Sequence, residues 1–138
     1  MILKSTWIAL ADARRGEALA LLDRGMFAGA YYLAGYAIEC ALKACIASEF
    51  HAHAIPARKF VNDIYTHDLK KLASIAGLTP KIDDRSSRDP SFGSNWEIVA
   101  EWSEDSRYVL MSEDEARALL EAVVDPRQGV FEWIRANW

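Results

Sequence analysis

The run from Tyr31 to Ala44, YYLAGYAIECALKA, is the strongest constraint on how this chain folds. It is almost wholly apolar or small, yet it contains one acid and one base. Glu39 and Lys43 are four residues apart, so on a helix they lie one turn apart on the same face. Burying a charge among apolar side chains is costly unless the charge is paired. The pair therefore either belongs to a solvated stripe or lines a functional site.

Helical periodicity dominates the chain and predicts an all-α fold, an antiparallel up-and-down bundle of about five helices in one domain covering residues 1–138. The first helix is predicted from Ser5 to Leu22, with Gly25 as its stop signal. The second is predicted from Phe27 to Ser48. Since small residues are spread around it and allow close packing, the second helix is expected to be the central one.

Three further helices are predicted in the second half. The third runs from Asp68 to Ile75, capped by Thr66 or Asp68 and ended by Gly77. The fourth covers Asn95 to Ser106.

The fifth helix starts with a capping box, in which Glu115 follows Ser112 by three residues. Its apolar phase persists towards Trp138. Pro126 therefore either kinks this helix or takes the first position of a new helix that Asp125 caps.

Two segments lack a helical pattern. Glu49 to Tyr65 contains Pro56 and scattered basic and aromatic residues, which favour an irregular connection. Thr79 to Ser94 is rich in Pro, Asp, Ser, Arg and Gly, and it is expected to be an exposed, mobile loop.

Composition excludes several classes of protein. Hydrophobic residues make up 51% and charged residues 26%, which is typical of a globular domain. The net charge of −4 argues against a protein that coats nucleic acid, but it leaves room for a local basic patch. Because Glu39 and Lys43 interrupt the best candidate for a membrane span and the start lacks signal-peptide features, a cytoplasmic protein without membrane contact is expected. Cys40 and Cys45, five apart on one helix, are expected to be buried reduced thiols.

Few residues have an obvious chemical role, and no Gly-rich phosphate loop, GxSxG or HExxH motif occurs. His51 and His53, with Glu49, form at most a weak metal site, and a solvated helix end is the preferred interpretation. His67 precedes Asp68 at a predicted helix start, where it either belongs to the cap or faces a site. No catalytic residue, metal ligand or cofactor is assigned.

The stretch from Asn95 to Tyr108 combines aromatic and charged residues. Trp96 and Trp102 are most simply core anchors. Arg107 either pairs with Glu104 one helical turn earlier or, with Tyr108, binds a phosphate through charge-assisted hydrogen bonds and stacking.

Four motifs in this order resemble the HEPN (higher eukaryotes and prokaryotes nucleotide-binding) family, in its small stand-alone bacterial form. They are YYLAGYAIECALKA, YTHDLKKL (65–72), WSEDSRY (102–108) and GVFEWIRANW (129–138), and the resemblance spans essentially the whole chain. It implies an all-α bundle, often dimeric. Many members pair with small nucleotidyltransferases in toxin–antitoxin or defence systems. Many are metal-independent ribonucleases, while others are thought to bind nucleotides.

The chain departs from the ribonuclease pattern of this family, which is an Arg followed after four to six residues by a His. Arg107 matches the Arg, but Ser112, Glu113 and Asp114 stand where the His is expected, and no His follows His67. RNA cleavage needs a group of near-neutral pKa to move protons, so the absence is chemically serious. His67 could replace the missing His only through the tertiary fold.

The leading hypothesis is therefore a non-enzymatic, homodimeric HEPN-like module that binds a nucleotide, an RNA or a protein partner through a polar cleft. In it, Lys43 and Arg107 meet phosphate, while Tyr36 or Tyr108 stacks on a base. The candidate ligand-binding residues are Tyr36, Glu39, Lys43, His67, Asp68, Arg107 and Tyr108. One alternative is a ribonuclease toxin with a rearranged site. The other is a purely structural partner of a nucleotidyltransferase, in which the polar residues form a satisfied buried network.

Two spatial expectations follow. Glu39 and Lys43 should lie within a few ångströms of His67 or Asp68, because the segment 66–72 must pack back across the central helix. The C-terminal Trp133, Ile134 and Trp138 are expected to add apolar surface that a two-fold homodimer would cover.

Overall fold

The computed structural model describes residues 2–138, and within that range it contains only helices and their connections, without a strand. The all-α prediction is confirmed, but the count of five helices is wrong, because eight α-helices and one 3₁₀ helix are present. The α-helices are α1 Lys4–Asp23, α2 Phe27–Ala47, α3 Arg58–Asp63, α4 Leu69–Ile75, α5 Thr79–Arg88, α6 Pro90–Ala100, α7 Glu113–Val124 and α8 Val130–Arg135. The 3₁₀ helix, Glu104–Tyr108, lies between α6 and α7.

Helix α2 is the central helix, as predicted. It packs along α1 in a helical hairpin and also contacts α4, α7, α8 and the 3₁₀ helix. Gly25, at a φ of 73°, lies in the hairpin turn, where the left-handed conformation favours glycine. Along α2 the alanines at 30, 34, 37, 41 and 44 are all fully buried, so neighbouring helices approach its backbone closely. No helix among residues 2–138 combines the length and apolar character that crossing a membrane requires.

The C-terminal aromatic residues complete the core of this chain, contrary to the expectation that they expose apolar surface. Ile134 is fully buried, and Trp133 and Trp138 are partly buried against the core. The Trp138 Nε1 donates a hydrogen bond of 3.2 Å to the Ala41 carbonyl of α2. Trp133 packs against Phe92, with ring centroids 5.2 Å apart. These residues therefore fasten α8 to the rest of the bundle.

The prediction of a mobile loop from Thr79 to Ser94 is wrong, because this segment forms α5 and the first half of α6. Proline near the start of α5 suits a first helical turn, and Ile82 anchors one face in the core. Asp89 then accepts a hydrogen bond from the Phe92 N–H and caps α6. The Pro, Asp and Ser residues that suggested a loop are thus the capping residues of two short helices.

Two other boundaries differ from prediction. The connection from Glu49 to Tyr65 includes α3, in which Lys59 and Asp63 form an i,i+4 ion pair of 2.6 Å. The predicted helix from Asn95 to Ser106 instead ends at Ala100, since the extended Ser103 interrupts it and caps the 3₁₀ helix. By contrast, α4 matches its prediction, with Asp68 as the N-cap.

The last helical region neither continues through Pro126 nor restarts at that residue. Asp125 accepts hydrogen bonds from the backbone N–H groups of Gln128 and Arg127, and these bonds lower the pKa of its carboxyl. They stabilise a turn, and α8 begins only at Val130. The capping box is confirmed at the other end of α7, where the Ser112 hydroxyl accepts from the Glu115 N–H at 3.1 Å.

Candidate functional site

Glu39 is the most deeply buried charged residue of the described chain, with only 2% of its surface exposed. Its Oε2 lies 3.2 Å from the Lys43 Nζ, and its Oε1 lies 2.8 Å from the His67 Nδ1. The predicted proximity of Glu39 and His67 is therefore confirmed. Both carboxylate oxygens have a partner, as a buried charge requires.

Lys43 faces inward with Glu39, so the pair does not belong to a solvated stripe. The Lys43 side chain is 12% exposed, and its Nζ lies 5.4 Å from the centroid of the Trp7 ring on α1. That ring attracts the ammonium group and shields it from water. Lys43 thus pairs with Glu39 beneath the Trp7 ring and is not among the residues that line the pocket beside His67.

His67 lies just before α4, and the local sequence fixes its position. The Thr66 Oγ1 accepts a hydrogen bond from the Asp68 N–H, and the Asp68 carboxylate accepts one from the Lys71 N–H. This double turn starts α4 and directs the His67 Nδ1 to Glu39. A carboxylate accepts, so the Nδ1 atom donates in this bond, and Nε2 forms no hydrogen bond with any residue in the range 2–138. Because the His67 side chain is 45% exposed, solvent and ligands can reach it.

A polar pocket of about 370 Å³ opens beside His67. One side comes from the start of α4, and the other from the segment between α6 and the 3₁₀ helix. Its lining residues are Thr66, His67, Asp68, Lys70, Ala100, Trp102, Ser103 and Glu104. The pocket thus joins two segments that are more than thirty residues apart in the sequence.

Several polar groups of this pocket retain hydrogen-bonding capacity. Thr66 and Ser103 use their hydroxyl oxygens as acceptors for backbone N–H groups, which leaves both hydroxyl hydrogens to donate. Glu104 forms no hydrogen bond or ion pair with any residue in the range 2–138. Lys70 has only a long contact of 4.0 Å with Glu97. The pocket can therefore both donate to and accept from a polar ligand.

Trp102 forms the apolar wall of the pocket and is held by α2. It is 3% exposed, and its ring stacks on Tyr32 with centroids 6.1 Å apart. Gly35 lies directly beneath the indole, where a Cβ atom would overlap the ring. The absence of a side chain at Gly35 therefore determines where Trp102 lies. The prediction that Trp96 and Trp102 are core anchors is confirmed, since both are buried.

The remaining predicted site residues form a second, aromatic cluster. The Arg107 guanidinium lies 4.9 Å from the centroid of the Tyr108 ring, and polar contact with Tyr108 and then with Tyr32 raises the pKa of Arg107. Tyr36 lies one turn along α2 from Tyr32, with ring centroids 6.1 Å apart, and burial raises its pKa. Arg107 forms no ion pair with Glu104 among residues 2–138, although both lie on the 3₁₀ helix; its guanidinium contacts Tyr108 and Tyr32 instead.

The structure thus divides the seven predicted residues into two groups. Glu39 and Lys43 are joined to His67 behind the pocket, and only His67 and Asp68 of the seven line it. Arg107, Tyr108 and Tyr36 lie around Tyr32, and none of them lines the pocket. Trp102 connects the two groups, since it stacks on Tyr32 and lines the pocket.

The buried thiols and the remaining histidines lie outside this site. Burial raises the pKa of Cys40 to about 12 and that of Cys45 to about 11, and both cysteines are free, as predicted. His51 and His53 are exposed in the connection after α2. Within residues 2–138, no group of His, Cys, Asp or Glu side chains has an arrangement that could hold a metal.

Sequence reasoning missed three residues that shape the site. Trp7 lies on α1, and its ring covers Lys43. Apart from its aromatic character, nothing in the sequence predicted that it would lie beside the site. Ser103 and Glu104 were noted only as neighbours of Arg107, but they line the pocket. In the sequence, Ser103 is followed by two acids, a pattern typical of a helix N-terminus. That pattern could have predicted that α6 ends before Ser103 and that a new helical turn starts there.

Comparison of the chain with protein-family models, with curated proteins and with solved structures finds no match.

Proposed function

We propose that this chain is a HEPN-like binding module that takes the nucleoside part of a nucleotide, or of one residue of an RNA strand, in the His67 pocket. The observation that carries the proposal is the Glu39–His67 pair. Glu39 holds the His67 ring in place through Nδ1. The Nε2 atom has no partner among residues 2–138, and a ligand can reach it because His67 lines the pocket and its side chain is accessible to solvent.

The chemistry of the lining favours a nucleoside over a free phosphate. Asp68 and Glu104 accept hydrogen bonds from ribose hydroxyls or base amino groups, while both carboxylates repel a phosphate. Ala100, with the small exposed part of Trp102, supplies the apolar contact for a base ring. In an RNA strand, the flanking phosphate is assigned to Arg107, on the 3₁₀ helix that begins at the pocket.

Calorimetric titration with adenosine and with adenosine monophosphate tests this proposal. Both should bind, and His67→Ala and Asp68→Asn should each weaken binding about tenfold, the effect of losing one good hydrogen bond. Asparagine retains the cap of α4, so that variant removes only the charge. His51→Ala, an exposed histidine outside the pocket, is the matched control. If neither ligand binds, or if all variants bind equally, the proposed binding site is wrong. The remaining hypothesis is then a structural partner of a nucleotidyltransferase.

The Glu39–His67 pair also favours a second candidate, a ribonuclease with a rearranged site. A carboxylate that orients a histidine is the arrangement of a general base. Arg107 would then stabilise the phosphate charge. The missing His after Arg107 still argues for little or no cleavage, since acid–base assistance is worth about 10²–10⁴-fold.

Cleavage of a mixed RNA substrate without metal separates the two candidates. We expect no robust activity from the native protein. Robust cleavage that both His67→Ala and Arg107→Ala abolish would establish the ribonuclease instead. Cleavage that neither variant reduces would come from a contaminant.

We further propose that the protein acts as a homodimer, with a nucleotidyltransferase as partner in a toxin–antitoxin or defence system. The nucleotidyltransferase rests on the resemblance of the four motifs to the HEPN family. The dimer gains support from exposed apolar side chains at Tyr108, Val109 and Leu110, immediately beside Arg107. Co-purification from the native host would identify the partner and any nucleotide that remains bound.

A further inference from the structure

A second depression, which we call the basic groove, lies between α5 and the end of the chain. Its volume is about 440 Å³, and it shares no lining residue with the His67 pocket. Pro80 lies at its edge, and its polar and aromatic lining residues are Lys81, Asp84, Arg85, Arg88, Trp133 and Asn137. Three cations and one acid give the groove a positive balance, in a chain whose net charge is −4.

The three cations lie on one face of α5. Lys81, Arg85 and Arg88 occupy positions i, i+4 and i+7, which repeat on the same side of an α-helix. The opposite charge on this face comes from Asp84 and Asp89, which pair with Arg88 and Arg85. On this face a ligand therefore meets one cation without an acidic partner among residues 2–138, Lys81, and two guanidinium groups, of Arg85 and Arg88, that each share a carboxylate.

Lys81 is the cation most available to a ligand. It is exposed, and its Nζ donates only to the neutral Asn137 Oδ1, at 3.3 Å. It forms no ion pair with any side chain between residues 2 and 138. Arg88 pairs with Asp84 at 2.7 Å, but the two side chains are 68% and 65% exposed, so a phosphate can compete for the guanidinium.

The inner part of the groove is rigid and aromatic. Arg85 donates to Asp89 and to the Arg127 carbonyl, and its guanidinium lies 5.0 Å from the centroid of the Phe92 ring. Phe92 is fully buried and packs against Trp133, which lines the groove. The Arg85 guanidinium and the Trp133 indole are thus both held in place before any ligand binds.

We propose that the basic groove binds a nucleotide unit by its phosphate and its ring, either as a free nucleotide or within a single-stranded nucleic acid. Lys81 and Arg88 would contact the phosphate oxygens, for which guanidinium and ammonium groups are the usual partners. The ring would lie on Trp133, because an aromatic surface beside cations is the common feature of sites for unpaired bases. This site is independent of the His67 pocket and goes beyond the proposed function.

Calorimetric titration at low salt with ADP, pyrophosphate, adenosine and an unstructured single-stranded RNA tests the groove. In a His67→Ala background, which weakens nucleoside binding at the pocket, the double variant Lys81→Gln/Arg88→Gln should weaken ADP or RNA binding about 10- to 100-fold, the range for charge-assisted hydrogen bonds. Arg117→Gln removes an exposed arginine from an i,i+4 pair on α7 and is the control. Both variants change surface residues, so the fold should persist. If ADP binds more tightly than RNA, the ligand is a free nucleotide. If RNA binds more tightly than ADP, the ligand is a single-stranded nucleic acid.

The requirement for phosphate separates this groove from the His67 pocket. Adenosine should bind the pocket but not the groove, so its affinity should be unchanged in the double variant. Pyrophosphate that binds as tightly as ADP would overturn the role assigned to Trp133. Equal ADP and RNA binding in the His67→Ala background with and without the double variant would overturn the site, whatever the outcome for His67→Ala itself.

Discussion

At the scale of single residues, Glu39 shows how a charge can be retained inside an apolar helix. Its two oxygens are bound by Lys43, one turn away on α2, and by His67, in the segment just before α4. The attraction offsets the loss of hydration only while both partners are present. The pair with Lys43 can be predicted from the i,i+4 spacing in the sequence, whereas the contact with His67 depends on how α4 packs against α2.

Glu39→Leu should therefore be strongly destabilising, because it leaves Lys43 buried without a counter-charge. We expect the free energy of unfolding in urea to fall by about 3–5 kcal/mol. The double variant Glu39→Leu/Lys43→Leu removes both charges, and it should be more stable than the single variant. Equal losses in the two variants would show that Lys43 does not depend on Glu39.

The buried thiols give a pH dependence with a defined sign. Desolvation, and then the charge of Glu39, raises the pKa of Cys40 from an ordinary 9.0 to about 12. Between these values the unfolded chain releases the thiol proton and the folded chain retains it, so stability is lost as pH rises above about 9. Cys40→Ala should reduce the slope of unfolding free energy against pH by about 1 kcal/mol per pH unit in that window. Urea titrations at several pH values measure both slopes, and identical slopes would contradict the prediction.

At the scale of elements, short helices are decided by contacts that lie outside them. Helix α5 has a composition typical of a loop, yet it forms because Ile82 enters the core and because its charges pair within the helix. The 3₁₀ helix exists because Ser103 interrupts α6 and caps the next turn. Both elements carry residues of the proposed ligand sites, so the boundaries that were predicted worst lie in the segments that hold those sites.

The contact between α2 and Trp102 makes a prediction about two glycines. Gly35→Ala places a methyl group into the Trp102 ring, and it should lower stability by about 1–3 kcal/mol and shift the tryptophan fluorescence. Gly16→Ala is the matched control, since nothing lies within 4 Å of a Cβ atom at that position of α1. That change should raise stability by about 0.5–1 kcal/mol, the usual gain from alanine in a helix interior. Thermal unfolding of both variants gives the two signs, and a stabilising Gly35→Ala would contradict the packing.

At the scale of the whole molecule, the dimer prediction now concerns a different surface. Trp133, Ile134 and Trp138 are used within the chain, whereas Tyr108 is 76% and Leu110 93% exposed. Light scattering at micromolar concentration should give twice the mass of one chain. Leu110→Asp should shift the mass to that of a monomer, and Ile55→Asp, at a residue 97% exposed elsewhere, should not. A monomeric native protein would reject the dimer.

The sequence by itself determined the elements whose signals are local. The apolar run with its small residues specifies α2 as the buried central helix, and the caps at Asp68 and Ser112 begin α4 and α7 where they were predicted. These signals suffice because helix hydrogen bonds and caps join residues at most a few positions apart.

Only the tertiary structure decided the rest. It joined Glu39 to His67, set Trp102 against Gly35, and placed Lys81 near Asn137 across the groove. These partners are far apart in the sequence, and no spacing rule relates them. Their contacts arise from the shape in which the whole core packs, and that packing is a property of all the helices together.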